Sequence, residues 1–144
     1  MKSVIESIRA EFQIGAAPIP EIGGFGPELG DFRREFGGRS WSEIPPEVLD
    51  CHNDAFMLMS AESLRYYLPA FLVRSIQQPR STSAESFLFF VTSDRFYAFS
   101  KLLSLVQRNI CFQVGDYVIK NSGGYLDHER EKFAKAVSEC LTRR

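Results

Sequence analysis

One stretch constrains this chain more than any other: Met59-Ser-Ala-Glu-Ser-Leu-Arg-Tyr-Tyr-Leu-Pro-Ala-Phe-Leu-Val-Arg-Ser-Ile76. Leu64, Leu68, Phe71, Leu72, Ser75 and Ile76 recur at helical spacing and define one face. Ser60 stands where an N-cap belongs, and Glu62 follows in the first turn, where a negative charge suits the helix dipole. Pro69 then interrupts the pattern, because it has no N–H to give the carbonyl of Arg65 and its ring crowds that carbonyl. Either the helix kinks there, or a second helix restarts with Pro69 at its first position.

The rest of the chain has to supply helices that cover this one. Its 144 residues fit a single domain, 1–144, with 44% hydrophobic residues and an unusually aromatic complement of 13 phenylalanines. Seventeen basic residues stand against 18 acidic ones, for a net charge of -1, and no stripe of one sign occurs. That balance argues against nucleic acid or an anionic membrane as partner. Glu6 and Arg9 break the apolar run that a secretion signal needs, and no window suits a membrane span. Cys51, Cys111 and Cys140 are odd in number and lack CxxC spacing, as reduced thiols of a cytoplasmic protein would be.

In order along the chain, residues 1–40 read as an N-terminal helix, 2–13, followed by a glycine- and proline-rich connector; residues 41–144 read as the helical core. The connector, 14–26, holds Gly24-Phe-Gly26-Pro-Glu-Leu-Gly30, whose final spacing is wrong for a dinucleotide loop. A short helix after Pro27 closes at Gly37-Gly38, and Trp41, beside Ile44-Pro-Pro46, anchors a loop to the core. Pro46 suits the first position of a helix over 46–58. Ser83-Ala-Glu-Ser resembles Ser60-Ala-Glu-Ser and predicts a helix start at Ser83, although Phe87–Val91 alone could form a short strand. Ser104 and Gln107 make a capping box for a helix reaching Lys120, and Gly115 inside it predicts the close approach of another helix. A last helix, 127–142, starts at Asp127. The whole reads as a mainly α, irregular bundle of five to seven helices around a proline-kinked central one.

Chemistry is sparse. In Asp50-Cys51-His52-Asn53-Asp54 the cysteine and histidine are adjacent, so on a helix they point about 100° apart and cannot easily pair. Asp50 and Asp54 share a face at i,i+4, where two solvated carboxylates are a simpler account than a metal site. His128-Glu129 lacks the second histidine of a zinc helix, since position 132 is lysine. No catalytic residue, metal ligand or cofactor site is assigned. The binding candidates are His52, Arg65, Tyr66 and Tyr67, grouped around Pro69. There the freed Arg65 carbonyl and two tyrosine hydroxyls could meet a ligand, though packing of both rings is the simpler expectation.

The run from Trp41 through Ile44-Pro-Pro-Glu-Val-Leu49, His52-Asn-Asp-Ala-Phe56 and Tyr66-Tyr-Leu-Pro-Ala70 resembles a family of small uncharacterised bacterial proteins. The likeness extends over about residues 41–120, with Leu103-Ser-Leu-Val-Gln107 as its later part and Phe71 in place of an expected tyrosine. It implies a helical domain of bacterial origin and no particular chemistry. The function expected is a non-catalytic protein-binding module, immunity- or accessory-protein-like, with an unknown protein partner. The alternative is a small-molecule-binding protein or enzyme with a pocket at the Pro69 kink near Tyr66, Tyr67 and His52.

Overall fold

A computed structural model describes residues 2–12 and 33–142 of the chain. Among these residues it holds nine helices and no strand: α1 (Lys2–Glu11), α2 (33–36), α3 (Pro46–Cys51), α4 (Ala55–Leu58), α5 (Ala61–Gln77), α6 (Thr82–Val91), α7 (Asp94–Ser100), α8 (Leu105–Lys120) and α9 (Arg130–Thr142). Short 3-10 turns at Trp41–Glu43 and Asp127–Glu129 precede α3 and α9. The connector expected at 14–26 and the helix start at Pro27 lie outside the described residues.

Serine hydroxyls set three of the helix starts. Ser60 accepts from the Ser63 N–H at 3.2 Å, and Ser81 from the Ala84 N–H at 3.1 Å. Ser104 and Gln107 exchange both bonds of a capping box, at 3.1 and 2.9 Å. The Gln107 amide also donates to the Glu11 carbonyl at 2.8 Å, so one side chain both caps α8 and holds the end of α1 against it.

Three expectations change. The alternative of a strand at 87–91 is corrected, because these residues complete α6. The cap of α6 is Ser81, not Ser83, which lies one turn position inside the helix and is fully buried. The helix expected over 46–58 breaks at His52, whose φ of -112° and ψ of 38° leave the helical region. Asp50 to Asp54 is a run of weak helix formers, and nothing local resists the break. Helix α7 was not expected at all. Together with that break it raises the five to seven helices expected to nine among the described residues.

Helix α5 lies at the centre, packed against α6, α8, α1, α3 and the Trp41 turn. It runs as one element through Pro69, so the chain does not restart there. Tyr67, Leu68, Phe71 and Leu72 are wholly buried in it. The phenylalanines explain themselves as a relay of rings across the domain. Phe36 of α2 lies 6.5 Å from Phe71 of α5, which lies 4.7 Å from Phe56 of α4. Phe56 meets Phe90 of α6 at 5.2 Å, and Phe90 meets Phe96 of α7 at 5.3 Å. The relay ends through Phe112 of α8, at 5.8 Å, on Phe133 of α9, at a further 5.9 Å. Each such ring pair adds about 0.5–1.5 kcal/mol beyond the area it buries. Seven helices are thereby joined through one aromatic core.

Gly115 gives the close approach that its position in α8 predicts. A Cβ there would stand 2.5 Å from Cε2 of Phe133, so α8 and α9 meet where only glycine leaves room. At the far end of these two helices, Arg108 donates to the Ser100 carbonyl at 2.8 Å and the Cys140 carbonyl at 3.3 Å. One guanidinium thus ties α7 and α9 to α8.

Candidate functional site

The four binding candidates fall in three different environments. Tyr67 is buried, and its hydroxyl donates to the Phe36 carbonyl at 2.8 Å. Tyr66 is nearly as buried, its ring edge-on to Tyr67 at 4.9 Å. His52 is half-buried at the break after α3, edge-on to Phe36 at 5.8 Å. Arg65 is exposed. Phe36 is therefore the hub that brings His52 and Tyr67 together, while Arg65 stands apart from them on the outer face of α5.

Burial, with a smaller contribution from Tyr66, pushes the Tyr67 phenol up to about 12 from an ordinary 10.0. The folded state thus holds this proton more tightly than the unfolded chain. The associated stability is fully present below pH 10 and is lost as pH rises from 10 toward 12, on the order of 2–3 kcal/mol. Denaturant melts at pH 9 and pH 11.5 should show that loss in the native protein and a smaller one in Tyr67→Phe. An equal loss in both would remove Tyr67 as its cause.

Asp50 and Asp54 do not share a site. Asp50 turns inward, where its carboxylate accepts from Arg74 at 2.6 and 3.3 Å and from the Ser83 hydroxyl at 2.6 Å. Burial pushes its pKa up, but the hydrogen bonds from Arg74 and Ser83 and the guanidinium charge outweigh that and hold it below the ordinary value. Residues 24 and 33 positions further along the chain thus make Asp50 the clamp between α3, α5 and α6. Asp54, past the break, is exposed.

Cys51 is exposed on α3, whereas Cys111 and Cys140 are buried and burial pushes both thiols up, away from the reactive thiolate. Exposed His128 meets the buried Glu129 carboxylate at 3.2 Å. Among the described residues no three His, Cys, Asp or Glu side chains converge as a metal site would require.

The surface formed by α4, α6 and α7 is different in kind. Met57 is 71% exposed, Phe89 43% and Leu102 40%, although each is large and apolar. Phe56, Met57, Phe89 and Phe90 border a groove of about 320 Å³. A second groove of about 340 Å³ is bordered by Met59, Leu64, Phe90, Ala98, Phe99 and Leu102. Phe90 and Arg95 line both, so the two grooves adjoin. Arg95 is exposed and makes no ion pair among the described residues; nor does Asp54, at the edge of the first groove. The sequence missed this face because Met57 and Phe89 become outward-facing only once the break at His52 and the start at Ser81 are known. A third groove, of about 200 Å³, touches the other side of α5, where Arg9, Trp41, Ser42, Arg74 and Gln77 line it.

Fold and surface together give a mainly α chain with an exposed apolar face. A model of a family of unknown function, DUF6714, matches residues 24–107, more than half of the chain, and the chain belongs to that family. The matched region contains α2 to α7 and the first residues of α8, and so the whole of the α4–α6–α7 face. Comparison with curated proteins and with solved structures finds no match. No helix among the described residues is long and apolar enough to cross a membrane.

Proposed function

We propose that this chain is a non-catalytic protein-association module whose docking surface is the α4–α6–α7 face. One observation carries the reading: Met57, Phe89 and Leu102 are exposed around two adjoining apolar grooves, while Arg95 and Asp54 at the same face have no ion-pair partner among the described residues. Exposed apolar surface that is contiguous and bordered by polar groups is the usual mark of a protein contact. Phe89 and Met57 are the side chains that a partner would bury first, as aromatic residues and methionine are enriched at such contacts.

The second reading, a small ligand near Pro69, is supported by the groove beside Ala70, Val73 and Arg74 on the same helix. Its volume lies below the range of about 300–1,000 Å³ usual for ligand pockets. The Tyr67 hydroxyl is already engaged by the Phe36 carbonyl. The association reading therefore ranks first.

The test compares affinity capture by the wild type, Phe89→Asp and Tyr125→Ser. Tyr125 is 67% exposed at the α8–α9 turn and lines neither of the two grooves. A stoichiometric protein held by the wild type and by Tyr125→Ser, but lost with Phe89→Asp, is the expected result. Retention of every captured protein by Phe89→Asp would overturn the assignment of the face.

A further inference from the structure

We infer that the occupant of the α4–α6–α7 face is a second copy of this chain, docked about a two-fold axis; this rests on the docking reading above and specifies its partner. A two-fold interface presents each patch to its own duplicate, so a patch that self-associates has to be complementary to itself in charge and shape. Most surfaces fail that requirement, since a patch of one sign repels its copy. This one meets it.

The charge condition comes from Asp54 and Arg95. Both line the same groove, one acidic and one basic, and neither has an ion pair among the described residues of its own chain. Across a two-fold axis Asp54 of each copy can reach Arg95 of the other, which gives two identical pairs and leaves no uncompensated charge at the contact. A face built for an unrelated acidic or basic partner has no need of that balance, and here the two signs cancel.

The shape condition comes from Met57. It projects from α4 with most of its side chain in solvent, and it stands at the edge of the groove of about 320 Å³. The patch thus carries a projecting side chain and a hollow next to each other. The same operation that pairs the charges lets each methionine enter the other copy's hollow. Methionine suits this, being unbranched and able to fit an irregular apolar surface. Phe89 and Leu102 supply further apolar area around it, and Asn53, Ser86 and Ser93 supply polar edges.

The experiment is the solution mass by sedimentation or light scattering, over a concentration series of the whole chain. The wild type is expected at twice its 16.4 kDa chain mass at about 100 µM, dissociating on dilution. Arg95→Glu and Asp54→Arg should each weaken the dimer at least about tenfold, because each places like charges opposite one another. The double variant Asp54→Arg/Arg95→Glu should recover wild-type association to within a few-fold, since swapping both signs restores the pairs. Both exchanged positions are exposed, and an unchanged melting temperature confirms that the three variants fold.

A wild type at single-chain mass at about 100 µM overturns the second-copy inference. So does a dimer whose affinity ignores both charges. The two failures remain distinct. A monomeric wild type that loses a captured protein on Phe89→Asp leaves the docking face standing with a different partner. A monomeric wild type that loses nothing on Phe89→Asp removes both.

Discussion

Phe71→Ala should lower the stability of this domain by about 3–5 kcal/mol, the usual cost of emptying a fully buried phenylalanine site. Phe71 has no exposed surface and sits in the ring relay between Phe36 at 6.5 Å and Phe56 at 4.7 Å. It also lies on α5, two residues beyond Pro69, where that helix has already lost one backbone hydrogen bond. A domain of this size has only about 5–15 kcal/mol in total, so the loss is a large part of it. In a thermal melt it corresponds to a fall of about 10 °C or more. The contrast is Phe89→Ala on the exposed face, expected within about 0.5 kcal/mol of wild type. A small effect at Phe71 and a large one at Phe89 would reverse the division between core and docking face argued above.

Gly115→Leu should be nearly as damaging, for the opposite reason. The first side-chain carbon alone would come within 2.5 Å of Cε2 and 3.0 Å of Cζ of Phe133. That ring cannot move freely, being itself buried and 5.9 Å from Phe112. Alanine at the same place gains about 1 kcal/mol of helix propensity and loses about 1–3 kcal/mol to overpacking, a small net loss. Leucine adds bulk with no further propensity gain, so a loss above about 3 kcal/mol is expected. Coupling identifies the cause. In a Phe133→Leu background Gly115→Ala should become neutral or stabilising, whereas an unchanged penalty would place the strain elsewhere.

Much of the fold was legible because its signals are local. Ser60, the Ser104–Gln107 box and Pro46 act within one turn of their own helices, and each sits where the sequence places it. Gly115 was legible as well, since a glycine inside an apolar helix has few other uses. Other features depended on residues far apart in the chain or on runs that suit two structures equally. Nothing near Asp50 announces that Arg74 and Ser83 will turn it inward and separate it from Asp54. Phe87 to Val91 is apolar in succession, which suits a buried strand as well as a helix packed on more than one side, and only the Ser81 cap decides. The repeated Ser-Ala-Glu-Ser misplaced that cap, because the same four residues begin at the cap in α5 and two positions later in α6.

The binding candidates show the same boundary. Tyr66 and Tyr67 lie in the buried centre, as aromatic residues at helical spacing usually do. The exposed face is not legible in the sequence because exposure is decided by helix register. Continuing α3 through His52 gives Met57 a different direction, and a Phe87–Val91 run that suits a strand as well as a helix leaves the outer side of α6 undefined. Arg95 is hidden for a related reason, since α7 starts after Ser93 without a side-chain cap hydrogen bond.

Amide hydrogen exchange followed by mass spectrometry, at low and high protein concentration, tests the docking face most directly. Raising the concentration should slow exchange in segments spanning 53–58, 86–95 and 98–102, and leave the α8–α9 turn around Tyr125, which lines neither groove, unchanged. Protection confined to other segments, or no concentration dependence in a chain shown to self-associate, would contradict the face proposed for it.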